Sequence, residues 1–239
     1  MRLEEVKRPL QDDVTNDVPC NEEKNNLHAK AEQAENVKII EYIYKSYSGI
    51  ERSIEIYRND LQRLEPNERL NDIIINFYLK YLEKERITKS LRSRIHIFNS
   101  YFYEKLKLLK NADKGNKQRV YMDTKNWTKN VDLFTKDYIL IPICDQKHWC
   151  LAIVCNPNAV FENAKEFIKS PLNYKPTKTS NLIILTSVKD SCREAGKLIK
   201  TYINLEYSQR KLDPETRQIL QYYDGYSKHF KTWQPLVTQ

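Results

Sequence analysis

The chain has 239 residues, of which 40% are hydrophobic and 30% charged, a balance that favours a soluble globular protein over a disordered or membrane-embedded one. No apolar run reaches the roughly 18 residues that a membrane-spanning helix requires, and the first residues, Met1-Arg2-Leu3-Glu4-Glu5, lack the apolar core of a secretory signal. The net charge of +8 suits an anionic partner, but the lysines are spread along the chain, so a nucleic-acid-binding protein is the weaker alternative and no specific nucleic acid is expected.

The polar segment over residues 1–50 predicts a disordered tail, followed by one domain over residues 51–239. A short apolar cluster at 39–44 marks the entry to the domain. After Leu70, apolar residues recur at three- and four-residue steps, which predicts a buried helix. Asn71 or Asp72 can cap it, because a side-chain oxygen there accepts from free backbone amides of the first turn.

The middle of the chain predicts a hairpin. Residues 138–143 and 149–155 are rich in β-formers, and Asp145-Gln146-Lys147 joins them as a tight turn. A packed segment over 95–109 and a short helix over 127–134 precede the hairpin. After it come a long polar loop over 156–180, a third buried strand over 182–185 and a helix that begins at Arg193.

The five cysteines, Cys20, Cys144, Cys150, Cys155 and Cys192, are predicted to be free thiols. Their number is odd and the chain is long, which is typical of a reducing compartment. Their spacing lacks the close pairs of a structural zinc site. We therefore expect neither a metal nor a cofactor.

His148 is the residue whose position suits catalysis best. It opens the second strand of the predicted hairpin directly after the turn, so a rigid element holds it at a surface edge. Imidazole titrates near neutral pH, and such a placement suits a general base. An ordinary turn histidine is the alternative, because one histidine alone rarely defines a site.

A series of short motifs surrounds this histidine in a fixed order. They are Leu70-Asn71-Asp72 with its apolar helix, Phe98 with Tyr101-Phe102-Tyr103, Trp127, Asp132-Leu133-Phe134, Ile141-Pro142-Ile143, His148-Trp149 and the polar insertion at 156–180. Together, over residues 55–239, they resemble the ubiquitin-like protease family of cysteine peptidases (Ulp and sentrin-specific proteases, peptidase family C48). The branch that trims poly-SUMO chains is the most similar.

The resemblance implies an α+β fold of the papain-like type and hydrolysis after a Gly-Gly tail. In that family a cysteine thiolate attacks, a histidine takes its proton, an aspartate orients the histidine, and a glutamine helps to hold the oxyanion. His148 matches the base, and Trp149 matches the cover of the narrow tunnel that admits glycines. The implied partner is SUMO or another ubiquitin-like protein, with no membrane, and the implied location is nuclear or nucleocytoplasmic.

Three positions depart from the family pattern. Thr186 stands where the orienting aspartate belongs, and a hydroxyl supplies no negative charge to an imidazolium. Asp190 is an alternative match, shifted by four residues along the chain. Arg69 replaces the aromatic residue before Leu-Asn-Asp that forms the second wall of the glycine tunnel. It is either a substrate-binding residue or a solvated arginine at the helix entry.

The nucleophile motif of the family, which ends Asp-Cys-Gly, is not found. The last residues, Pro235 to Gln239, look like the approach to it, with Gln239 at or next to the oxyanion glutamine, so a C-terminally incomplete domain is expected. The other cysteines do not substitute. Cys144 and Cys155 are expected to be buried, and Cys192 is expected to follow a strand rather than lie at a helix N-terminus.

Three functions stay open after these departures. The first is a protease-like domain of deSUMOylating ancestry, inactive because both the nucleophile and the orienting aspartate are missing. The second is an active protease whose cysteine lies beyond residue 239. The third is a non-catalytic module that binds a ubiquitin-like protein.

Overall fold

A mixed five-stranded sheet forms the centre of the fold, with helices packed on its buried face. A computed structural model of the protein describes residues 37–46, 49–110, 114–159, 162, 180–188, 192–211 and 236–238. The strands are β1 (Lys38–Lys45), β2 (Glu51–Tyr57), β3 (Ile95–Ile97), β4 (Tyr138–Asp145), β5 (His148–Cys155), β6 (Asn181–Leu185) and β7 (Leu236–Thr238). The helices are α1 (Arg58–Gln62), α2 (Asp72–Tyr81), α3 (Lys89–Arg94), α4 (Tyr101–Leu106), α5 (Lys114–Thr124) and α6 (Arg193–Arg210). In this described part of the chain, no helix is both long and apolar enough to cross a membrane.

The large sheet has the strand order β3-β4-β5-β6-β7. The two inner pairings, β4 with β5 and β5 with β6, are antiparallel, whereas β3 runs parallel to β4 and β7 parallel to β6. Helices and strands are thus mixed in the manner of an α+β fold, as predicted. The predicted hairpin, the third strand and the helix starting at Arg193 are all confirmed, and α6 extends to Arg210.

Side chains along β5 alternate between a fully buried face of the sheet and a half-buried one. Cys150, Ala152 and Val154 are at most 6% exposed, while their neighbours Leu151 and Ile153 are partly exposed. The buried face packs against α4 and α6, and Gly196 of α6 lies so close to β6 that an added Cβ would be 3.6 Å from Leu182. The half-buried face borders α2.

A buried acid anchors the end of α6 to the turn after α5. Glu206 is fully buried, and its carboxylate accepts a 2.7 Å hydrogen bond from Thr128 and pairs at 2.7 Å with Arg210. Removing a carboxylate from water is costly unless it is paired and hydrogen-bonded. The Arg210 pair and the Thr128 hydroxyl meet that need at Oε1, whereas Oε2 is buried with no hydrogen-bond partner among the described residues.

A separate hairpin of β1 and β2 lies at the start of the described residues. It falls partly inside the range 1–50 that was predicted to be a disordered tail, so the ordered part begins before residue 51. Tyr42 of β1 packs edge-on against Phe77 of α2, with ring centroids 5.5 Å apart. Residues 1–36 and most of the predicted loop over 156–180 lie outside the described residues.

Candidate functional site

The turn between β4 and β5 fixes His148 at the start of its strand. Gln146 and Lys147 both adopt positive φ angles, of 49° and 65°, and Asp145 pairs directly with His148 across the turn. Two central residues with positive φ define the type I′ turn, whose twist matches that of an antiparallel hairpin. His148 is therefore positioned by backbone pairing, as the sequence predicted.

Thr186 contacts the imidazole of His148. Nε2 of His148 lies 3.2 Å from Oγ1 of Thr186, which follows β6 and is 8% exposed. The same Oγ1 accepts a 3.1 Å hydrogen bond from the amide of Val188 and lies 3.1 Å from the Val188 carbonyl oxygen. The structure therefore places the Thr186 hydroxyl, at the position that the family resemblance assigns to the orienting aspartate, within hydrogen-bond distance of the imidazole.

The Thr186 hydroxyl has one proton for two acceptors. If it donates to the carbonyl of Val188, then His148 must carry its proton on Nε2 and donate to Oγ1. In that arrangement Nδ1 carries no proton. The hydroxyl orients the imidazole through the 3.2 Å contact, but unlike a carboxylate it adds no charge to stabilise an imidazolium.

Asp145 is the carboxylate that the strand register puts opposite His148. The structure describes both residues and gives His148 its hydrogen bond to Thr186, with none to Asp145. Asp190, the shifted match for the orienting aspartate, lies outside the described residues, as does Gln239. Their predicted roles therefore stay predictions.

Trp149 joins the strand to the start of α2. Its indole Nε1–H donates a 2.8 Å hydrogen bond to the carbonyl oxygen of Leu70. Asn71 caps α2 by accepting from the amide of Ile74 at 3.1 Å, which confirms the predicted cap. Asn71 also donates a 2.7 Å hydrogen bond to Asp60, which ties the residue after Leu70 to α1.

A pocket of about 1040 Å³ opens beside these residues, between the hairpin turn, α4 and the start of α6. Its lining includes His148, Trp149 and Arg69, so the structure brings three of the predicted site residues together; Thr186 reaches the same site through its contact with His148. Among the described residues, the lining has four basic side chains, Arg69, Lys107, Lys110 and Lys147, and two acidic ones, Asp145 and Glu194. Lys107 also pairs with Glu104 at 2.6 Å, so the described lining carries a small excess of positive charge, which favours an anionic ligand.

Two of the cysteines differ from their predicted state. Cys150 and Cys192 form a disulfide, so the prediction of free thiols is wrong for this pair. Cys192 is also the N-cap residue of α6, which corrects the expectation that it lies away from a helix N-terminus. No local pattern indicates the bond, because the two residues are 42 positions apart and meet only through the packing of α6 on the sheet.

Cys144 and Cys155 are free but only half-buried, not buried as expected. Burial raises the pKa of both thiols, which keeps them protonated near neutral pH. Cys144 pairs with Trp149, so its side chain is on the sheet face opposite to His148. Cys20 lies outside the described residues, within which no cluster of three or more His, Cys, Asp or Glu side chains is arranged to hold a metal ion.

Comparisons with known proteins agree with this geometry. Residues 68–224 match the model of the Ulp1 protease family, C-terminal catalytic domain. Among curated relatives, probable ubiquitin-like-specific protease 2A of Arabidopsis thaliana is 37% identical over 166 residues, 66% of this chain. Sentrin-specific protease 6 of Mus musculus is 43% identical over 109 residues, 44% of this chain.

These matches cover 20% and 10% of the respective relatives, so this chain corresponds to a small part of each. A solved structure described as a de-sumoylating protease superimposes with a TM-score of 0.52 and 26% identity, covering 74% of this chain and 61% of that one. The matched range, residues 68–224, includes Arg69, His148, Trp149 and Thr186. The chain therefore belongs to the Ulp1 protease family and carries residues of its C-terminal catalytic domain.

Proposed function

We propose that this domain recognises SUMO or another ubiquitin-like protein but, by itself, does not cleave it. The contact between His148 and Thr186 carries the proposal. In the mechanism expected for this family, the imidazolium that forms when histidine accepts the thiol proton is stabilised by a carboxylate. Here the described partner of Nε2 is a neutral hydroxyl at 3.2 Å.

The described cysteines support the same proposal. Covalent catalysis needs a thiolate within hydrogen-bond reach of the base. Cys150 and Cys192 are bonded to each other, and Cys144 is on the opposite face of the sheet. Cys155 ends β5, seven residues or about 23 Å along the strand from His148.

Recognition is supported by the Trp149–Leu70 contact and the basic pocket. The indole bridges β5 and the start of α2. The family resemblance implies that the channel for a glycine tail lies there. Arg69, next to Leu70, adds a cation at the edge of this channel. The solved structure at 26% identity is described as a de-sumoylating protease, which supports SUMO as the first partner to test. On the same resemblance we propose a nuclear or nucleocytoplasmic location, which imaging of the tagged protein tests.

An active protease is the second candidate, and one observation favours it. His148 lines an open pocket of about 1040 Å³, which leaves room for a cysteine supplied from outside the described residues. In that case the domain hydrolyses a SUMO conjugate by the family mechanism, with Thr186 in place of the orienting carboxylate.

A SUMO protein with a C-terminal electrophile separates the two candidates. We expect intact-mass analysis to show no adduct that depends on His148, and calorimetry to show reversible binding of unmodified SUMO. An adduct formed by the wild type and lost in His148→Ala establishes the active protease instead. Absence of binding to SUMO and to the other ubiquitin-like proteins contradicts the recognition proposal.

A matched pair of variants locates the binding surface. Trp149→Ala removes the indole at the site, whereas Tyr138→Ala removes an exposed aromatic at the far end of the hairpin, where Tyr138 pairs with Cys155. We expect only Trp149→Ala to weaken binding. Equal losses in both variants mean that the effect is not local to the site.

A further inference from the structure

The β1–β2 hairpin has one open edge, along β1. Strand β1 pairs with β2 on one side, and within the described part of the chain no strand pairs with its other side. Three aliphatic side chains of β1 are exposed, those of Ile39, Ile40 and Ile43. A two-stranded sheet is marginally stable by itself, and an exposed edge strand with such side chains is a template for a further strand.

The hydrogen bonds of the hairpin show which backbone groups of β1 face its open edge. The amide of Ser46 donates a 2.8 Å hydrogen bond to the carbonyl of Ile50, so this closing pair is hydrogen-bonded. Antiparallel pairs alternate between hydrogen-bonded and non-hydrogen-bonded positions. Counted from the closing pair, the N–H and C=O groups of Glu41, Ile43 and Lys45 are directed away from β2 and can bond to another strand.

The side chains of the same three residues lie on the outer face of the hairpin. On the inner face, Tyr42 packs edge-on against Phe77 of α2, with ring centroids 5.5 Å apart. Side chains alternate along a strand, so those of Glu41, Ile43 and Lys45 are on the opposite face. All three are exposed, and the side chain of Ile43 is 57% exposed.

The order of these residues along β1 is self-complementary. When two copies of β1 pair antiparallel about Ile43, Glu41 of each copy lies opposite Lys45 of the other, and Ile43 lies opposite Ile43. Opposite charges and apolar side chains directly across an antiparallel pair stabilise the pairing. Within its own copy Glu41 pairs at 3.0 Å with Lys38 through Oε2, and the Glu41 side chain remains 42% exposed.

We propose that β1 is the surface through which two copies of this chain associate, by antiparallel pairing about Ile43 into one four-stranded sheet of order β2-β1-β1-β2. The contact is isologous, because both copies use the same residues. One strand pair is small beside the roughly 1,000 Å² of a stable interface, so the dimer is weak and forms as the concentration rises. The proposal stands independently of the recognition of a ubiquitin-like protein, because it rests on the backbone and side chains of β1.

Sedimentation velocity of the whole chain over a concentration series tests the association. We expect the wild type to shift from monomer to dimer, and Ile43→Lys to remain monomeric. Ile50→Lys is the matched control, because Ile50 is 58% exposed in the same hairpin but lies outside β1, and it should dimerise as the wild type does. A wild type that stays monomeric up to its solubility limit overturns the proposal, and so does an Ile43→Lys variant that dimerises like the wild type.

Charge reversals test the register of the pairing. Glu41→Lys places two lysines across each outer pair, and Lys45→Glu places two glutamates there, so each change alone should weaken association several-fold. The double variant restores opposite charges and should recover the wild-type association. Because both positions are exposed, these variants decide the matter even if Ile43→Lys fails to fold. A double variant as weak as the single ones overturns the register, and a monomeric chain whose binding of SUMO is weakened by Ile43→Lys assigns the edge to that partner instead.

Discussion

Acidification should destabilise the fold through one buried histidine, His96 of β3. Its side chain is 3% exposed and packs edge-on against Phe98, with ring centroids 4.4 Å apart. The pKa of His96 is lowered from 6.5 to about 4, mainly by burial; Glu83 acts in the opposite direction, and Lys80 and Lys136 add to the lowering. The folded protein thus keeps His96 neutral at pH values where the unfolded chain protonates it.

The direction and the size of the change in stability follow from how many protons His96 binds in the folded and unfolded states. Between pH 6.5 and pH 4 the unfolded state binds the extra proton, so the free energy of unfolding falls as the pH falls. The change of the pKa from 6.5 to about 4 corresponds to about 3 kcal/mol in full. Of this, about 2 kcal/mol is lost between pH 7 and pH 5, before most carboxylates titrate.

Urea unfolding at pH 7 and pH 5 measures this loss. The wild type should lose about 2 kcal/mol, and His96→Phe, which cannot take up the proton, should lose much less over the same range. A wild type whose stability is equal at the two pH values, or a His96→Phe variant with the full loss, refutes the burial argument.

Two further predictions concern the site and the helix behind it. Trp149→Ala should weaken binding of SUMO by about 1–3 kcal/mol, as for an interface aromatic. Trp149→Phe should lose less, because it keeps one aromatic ring while it loses the rest of the indole and its hydrogen bond to Leu70. Calorimetry measures both, and equal affinities for all three proteins contradict the proposed surface. Arg210→Met should destabilise the fold by about 3–5 kcal/mol, because it leaves the buried Glu206 carboxylate without its cation. Lys197→Met, which breaks an exposed ion pair, should cost less than about 1 kcal/mol. Urea unfolding measures both losses, and similar values would show that Glu206 does not need the pair.

Local patterns in the sequence predicted the elements that carry His148. The hairpin follows from two runs of β-formers with a polar turn between them, and the α2 cap follows from Asn71 before an apolar helical stripe. Both depend on residues close together in the chain. The pairing of position 186 with His148 needed the family resemblance as well, because 38 residues separate them.

The features that were missed depend on contacts between distant segments or on the backbone. The Cys150–Cys192 bond requires Cys192, the N-cap residue of α6, to lie next to β5, which no local pattern encodes. The Leu70 carbonyl is a backbone atom, so residue types give no sign of its role as the acceptor for Trp149. The β1–β2 hairpin was missed because its strand β1 is largely exposed and lies next to a polar segment.

A single titration tests the central proposal that the domain recognises a ubiquitin-like protein without cleaving it. SUMO carrying a C-terminal coumarin amide is mixed with increasing amounts of the chain, and both the anisotropy and the intensity of the fluorophore are followed. We predict that the anisotropy rises to a plateau, which reports binding, while the intensity stays constant because no amide is hydrolysed. An intensity that rises with the wild type and not with His148→Ala, or an anisotropy that never rises, contradicts the proposal.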